Sequence, residues 1–194
     1  MKRYFPLLAA LPLAVATLAC SHAAAARDPI EYLDEQTAAT VTVVREPIVF
    51  ARERRDVSAR QRDYVTLAAA SVNRGGKITY VLVTYFWSTV DARVGGELVV
   101  PEVMVLAADD RRLEFKRSAA RSTEQGIALP IHAPPNHKAD PVVFSTDLAT
   151  LRYLAAARHL ELRAGSDELA SVYELWDDQR DELATFVAFL HGER

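Results

Sequence analysis

The sequence predicts a mainly β domain, an antiparallel sheet or immunoglobulin-like sandwich with two C-terminal helices, behind an exported N-terminal segment. Three observations predict it. Short runs rich in Val, Thr and aromatic residues recur between turn residues from Thr37 to Phe144, as in strands. Asn73-Arg74-Gly75-Gly76-Lys77 places residues that accept positive φ between two long apolar arms, the signature of a hairpin. Only from Asp147 onward does the apolar spacing become helical. A two-layer α+β arrangement is the alternative.

Met1-Lys2-Arg3 is positive, and Phe5 to Ala19 is apolar apart from Thr17, with Pro6 and Pro12 inside it. Such a run is too short and too interrupted to span a membrane, but it suits the apolar core of a secretory signal. Ala16-Thr17-Leu18-Ala19-Cys20 resembles a bacterial lipobox, with Thr17 where lipoboxes carry Leu. In that reading Cys20, the single cysteine of the chain, is the lipidation site. Its acyl chains, at about 0.8 kcal/mol per buried CH₂, hold the protein on the bilayer. The rival is the small-residue run Ser21 to Ala26, which offers ordinary signal-peptidase sites and would release a soluble periplasmic or secreted product. The position of the sole cysteine favours the lipid. Ser21, where Asp does not stand, resembles lipoproteins forwarded to the outer membrane. The expected organisation is a signal peptide over 1–19, a lipidated tether over 20–36 with a short turn at Ile30 to Leu33, and one domain over 37–194.

Within the domain, Thr37 to Val44 and Pro47 to Phe50 read as strands around a turn. Tyr64 to Val72 and Ile78 to Val90 form the arms of the hairpin. On the second arm Tyr80, Leu82 and Phe86 alternate with Val81, Val83, Tyr85 and Trp87, so both faces are apolar, as in a central covered strand. Pro101 breaks the next apolar stretch between Val100 and Val103. Asp109-Asp110 turns the chain into Arg112 to Lys116, and Gly126 to Pro141 is a proline-rich loop before Val142 to Phe144. A helix over Asp147 to Ala157, strands at His159 to Arg163 and Val172 to Trp176, and a helix opened by Asp177 complete the chain. Leu183, Phe186, Val187 and Leu190 stripe that last helix, and Gly192 ends it.

The chain carries 23 basic and 26 acidic side chains, a net charge of −3. Loss of Lys2 and Arg3 with the first 19 residues takes it to −5 (21 basic minus 26 acidic). Phosphate backbones find no attraction there, so nucleic acid is not expected as a partner. Arg45, Arg52, Arg54, Arg55, Arg60 and Arg62 are interspersed with Glu46, Glu53, Asp56 and Asp63, as in a solvated mixed-charge loop.

Catalytic signatures are missing from the sequence: no nucleophile elbow, zinc-protease helix, phosphate loop or dinucleotide fingerprint. No catalytic residue, metal site or cofactor is therefore assigned. His132 and His137 read as loop histidines rather than ligands. His159 heads a strand, and His191 ends a helix where a cation suits the dipole. Asp177, Asp178, Asp181 and Glu182 read as first-turn carboxylates of a helix. Tyr80, Tyr85, Phe86 and Trp87 read as core, with an apolar ligand groove as the sharper alternative.

The stretch Tyr32-Leu33-Asp34-Glu35-Gln36-Thr37-Ala38-Ala39-Thr40-Val41, with Tyr85-Phe86-Trp87-Ser88-Thr89, resembles uncharacterised proteobacterial envelope lipoproteins. The resemblance implies a place in the envelope and no active site; taken with the lipobox and Ser21, the expected location is its periplasmic side, anchored to the outer membrane. A non-enzymatic binding or assembly role with an envelope protein partner is the first functional expectation. A periplasmic carrier of a small ligand or lipid is the second.

Overall fold

The structure, a computed structural model, describes residues 28–91, 93, 98, 100–134, 139–165 and 170–192. The signal segment, Cys20, the first residues of the tether and His137 lie outside the described residues. The described chain is mainly β, with ten strands in one curled antiparallel sheet and two helices near its C-terminus.

The hairpin organises the sheet. β4 (Arg62–Arg74) and β5 (Lys77–Ser88) pair along their whole length. Arg74 lies opposite Lys77, so the loop is Gly75-Gly76, with φ of 59° and 87°. Both values suit a two-residue turn of the primed type, and Asn73 Oδ1 accepts from the Gly76 N–H at 3.0 Å. Residues 65–72 of β4 and 81–86 of β5 are buried on both faces, as the doubly apolar pattern predicts.

The free edge of β4 is long enough for two partners. β3 (Ile48–Glu53) pairs with Arg62 to Leu67, and β2 (Ala39–Val43) with Ala70 to Asn73. β1 (Ile30–Asp34) flanks β2. Here the sequence expectation is corrected: Ile30 to Leu33 is strand rather than a turn, because Tyr32 and Asp34 find buried neighbours across β2. A second correction concerns the arginine-rich stretch. It is largely a hairpin, with Arg52 in β3 and a fully buried Asp63 in β4, and only 54–61 form its loop.

From β3 the sheet continues through β10 (Ser171–Asp177), β9 (Leu160–Ala164), β6 (Val103–Ala108) and β7 (Arg111–Lys116). From β5 it continues to β8 (Val142–Thr146). The two ends meet. Arg117 bridges to Phe144, and the Ser118 N–H donates to the Val143 carbonyl at 3.0 Å. The inner face of this hoop carries Phe50, Leu82, Leu106, Phe144, Leu162 and Tyr173, all buried.

α1 (Leu148–Ala156) starts at Asp147, whose carboxylate accepts from the Thr150 N–H at 2.7 Å. α2 (Arg180–His191) ends at Gly192, left-handed at φ 69°. The helices touch each other and send Leu151, Leu154, Leu183 and Phe186 into the sheet's core. α2 opens three residues later than the sequence predicts, because β10 holds Asp177 opposite Val49.

Candidate functional site

Two ends of one sheet face differ in cover. At the hairpin end, the segment 118–134 lies over the outer face of β2, β4 and β5. Asp34 pins it: its buried carboxylate accepts from the N–H groups of Ala128 (2.7 Å), Leu129 (3.2 Å) and Thr37 (3.2 Å). Burial alone would push this carboxyl up, but those three donors together hold it below its usual value. Gly126 passes so close to Val72 that a Cβ there would lie 2.6 Å from Val72 Cγ1. Burial, then the Asp34 charge and the neighbouring Tyr85, push the Tyr32 phenol up to about 12.

At the other end a row of side chains is less covered: Glu174 is exposed, and Tyr64 and Trp87 are half-buried beside a buried Ala51. Glu174, Ala51, Tyr64 and Trp87 face one another in register across β10, β3, β4 and β5. Tyr64 and Trp87 stack at 4.3 Å, 14° between planes, and the Trp87 indole N–H donates to Thr66 Oγ1 at 3.1 Å. The register of β10 against β3 slips between Leu175 and Asp177. The extra residue is Trp176, on the same outer face as Glu174, so the bulge shifts its position along β3 rather than its face. Its indole crosses β3, over the small Ala51, to meet Tyr64 edge-on at 6.1 Å, and it is 57% exposed. The Arg62 guanidinium sits 4.8 Å from the same indole.

Beside Trp176 runs a groove of about 320 Å³ lined by Ala51, Glu53, Arg55, Arg62 and Glu174 among others. Glu53 accepts from Arg55 Nε at 2.7 Å and from Arg62 Nη2 at 3.5 Å. The hydrogen bond and charge of Arg55, then Arg62, hold the Glu53 carboxyl below its ordinary value. Arg55 also lies within the field of Glu174. The groove is therefore lined by three arginines and two glutamates, with Arg52 also paired to Asp63 on the inner face.

The inner face beneath this row is tied across the same four strands. Asp63 of β4 accepts from Arg52 of β3, from Arg54 Nη1 at 3.4 Å and from Ser88 Oγ of β5 at 2.6 Å. Arg52 also donates to Ser171 of β10 and lies 5.3 Å from the Tyr173 ring centre. Burial pushes the Tyr173 phenol up to about 12, against the opposing pull of Arg52. An ion cluster of this kind adds little net stability over an apolar one; here it links β3, β4, β5 and β10 beneath the row.

The structure scatters the other sequence candidates. Tyr85 and Phe86 are core, Tyr80 lines a separate groove of about 580 Å³ at the hairpin tip, and Trp87 belongs to the open row. A third groove, about 610 Å³, follows the seam near Arg117 and Asp140. His132 Nε2 meets the Val44 carbonyl at 2.7 Å, His159 stands at the head of β9, and His191 meets Arg152 between the helices. The four acids divide. Asp177 ends β10 and accepts from Gln179, Asp178 pairs with Arg180, and Asp181 and Glu182 occupy the first turn of α2. Among the described residues, no three His, Cys, Asp or Glu side chains gather as a metal site. Trp176 and Arg62, which line the groove, and Tyr64 beside Trp176 are the residues that sequence reasoning missed. No family model, curated protein or solved structure matches the chain.

Proposed function

We propose that this chain is a non-enzymatic binding protein of the bacterial envelope, held at the membrane by lipid on Cys20, that engages its partner through the groove at Trp176. The supporting observation is an indole left 57% exposed on a platform whose inner face is tied across four strands. Trp176 does not stand alone: Val172, also exposed on β10, lines the same groove, and it is grouped rather than single apolar exposure that supports a binding role. The carrier reading has less support, since Phe50, Leu82, Phe144, Leu162 and Tyr173 occupy the inner face of the sheet.

Two measurements in intact cells test this. Palmitate labelling is expected in the wild type and lost in Cys20→Ala; labelling that is absent, or survives the substitution, removes the anchor. A photo-crosslinking residue at Glu174, beside the groove, is expected to yield a discrete adduct that one at Arg112, exposed on β7, does not. Equal adducts at both sites, or none at Glu174, remove the binding site.

A further inference from the structure

We propose that the groove beside Trp176 binds a neutral oligosaccharide, a short stretch of a glycan strand, the sugar rings lying against the indole; this rests on the reading of that groove as the binding site. The argument starts from charge. Arg55 and Arg62 are offset by Glu53 and Glu174 around one small opening, and Arg52, the third arginine of its lining, is paired with the buried Asp63, so neither an anion nor a cation gains a large net field there. A neutral ligand that needs donors and acceptors in alternation gains both, because guanidinium groups only donate and carboxylates only accept.

The apolar part of the groove fits the same chemistry. A pyranose has a ring face of C–H groups and a rim of hydroxyls. Trp176 offers an exposed aromatic surface for the first, standing directly beside the charged rim that serves the second. A groove of about 320 Å³ lies at the low end of ligand pockets, about 300–1,000 Å³, and takes a segment of a chain rather than a folded partner. Proline-rich peptides, the other common ligands of exposed aromatic residues, dock into grooves between aromatic side chains. Here Tyr64 and Trp87 stack on each other at 4.3 Å and neither lines the groove, which leaves one indole rather than two flanking walls.

The chain has two tryptophans, and both stand in this row. Intrinsic fluorescence of the full-length protein in detergent therefore reports on the groove, with titration calorimetry as a second readout. The probes are the β-linked tetramer of N-acetylglucosamine, the α-linked tetramer of glucose, and decaproline. A saturable response to at least one sugar is expected. By calorimetry it should weaken at least tenfold in Trp176→Ala and about threefold in Glu174→Gln, and stay unchanged in Arg112→Ala. Thermal unfolding checks that each variant is folded. No saturable response to either sugar, or equal affinity in Trp176→Ala, overturns the proposal. A Trp176-dependent response to decaproline alone also overturns it, while leaving the broader binding role standing. Failure of the Glu174 crosslink in cells removes that broader role independently of the sugar result.

Discussion

The two ends of the β4–β5 hairpin present the same outer face to different surroundings. Near the turn, Val72, Val81 and Val83 lie in the core, with Gly126 of the overlying segment against Val72. Some ten residues away along each arm, Tyr64 and Trp87 stack on each other, beside Thr66 and the protruding Trp176. Under cover the face carries Val72, Val81 and Val83 with the buried ring of Tyr85, while the uncovered end carries the partly exposed Tyr64 and Trp87. A covered face needs complementary volume. An uncovered one tolerates large apolar groups only when they stack or hydrogen-bond. The difference separates a region built for stability from one available for recognition.

Removing the pin at the covered end should have the largest effect. Asp34→Ala strands three N–H groups and is expected to cost about 3–5 kcal/mol, read by urea unfolding, with a rise in dye binding as the segment 118–134 lifts. A loss below about 1 kcal/mol would mean that the segment is not held by Asp34. The same carboxyl gives the covered end a pH dependence. Its pKa is lower folded than unfolded, so its contribution is complete above the ordinary carboxylate value of 3.8 and fades as pH falls through the folded value. Urea midpoints should therefore drop on acidification below about pH 4, and Asp34→Asn should lose part of that drop.

Gly126→Ala comes next. At φ +93° with Val72 Cγ1 only 2.6 Å from the new Cβ, it should cost about 2–3 kcal/mol. Val72→Ala in the same chain should make the pair less costly than the sum of the two changes. Strict additivity would show that the close approach is not the source of the loss. Smallest is Trp176→Ala, expected to change stability by less than about 1 kcal/mol, because its indole stays largely in water. A loss of several kcal/mol would place Trp176 in the core and erase the contrast between the two ends.

Legibility followed sequence distance. Gly75-Gly76 sets the register of both arms, and counting ten residues from Arg74 and from Lys77 reaches Tyr64 and Trp87; that contact was readable from the turn alone. The doubly apolar β5 and both helices were readable by periodicity. Trp176 was not, because its place depends on β10 pairing with β3, more than a hundred residues away, and on a bulge that no local pattern announces. The same distance concealed Asp63. In sequence it is one acid among arginines, and its burial follows only once β3, β4, β5 and β10 lie side by side. Asp34 looked like part of a tether because its partners, Ala128 and Leu129, belong to a distant loop.

The meeting of the sheet's two ends at Arg117 and Phe144 bears on self-association. An open curl would leave β7 and β8 as bare edges able to template pairing with another copy of the chain. One bridge and an adjoining hydrogen bond join the two strands just past the end of β7, so pairing with another copy would have to begin away from that junction.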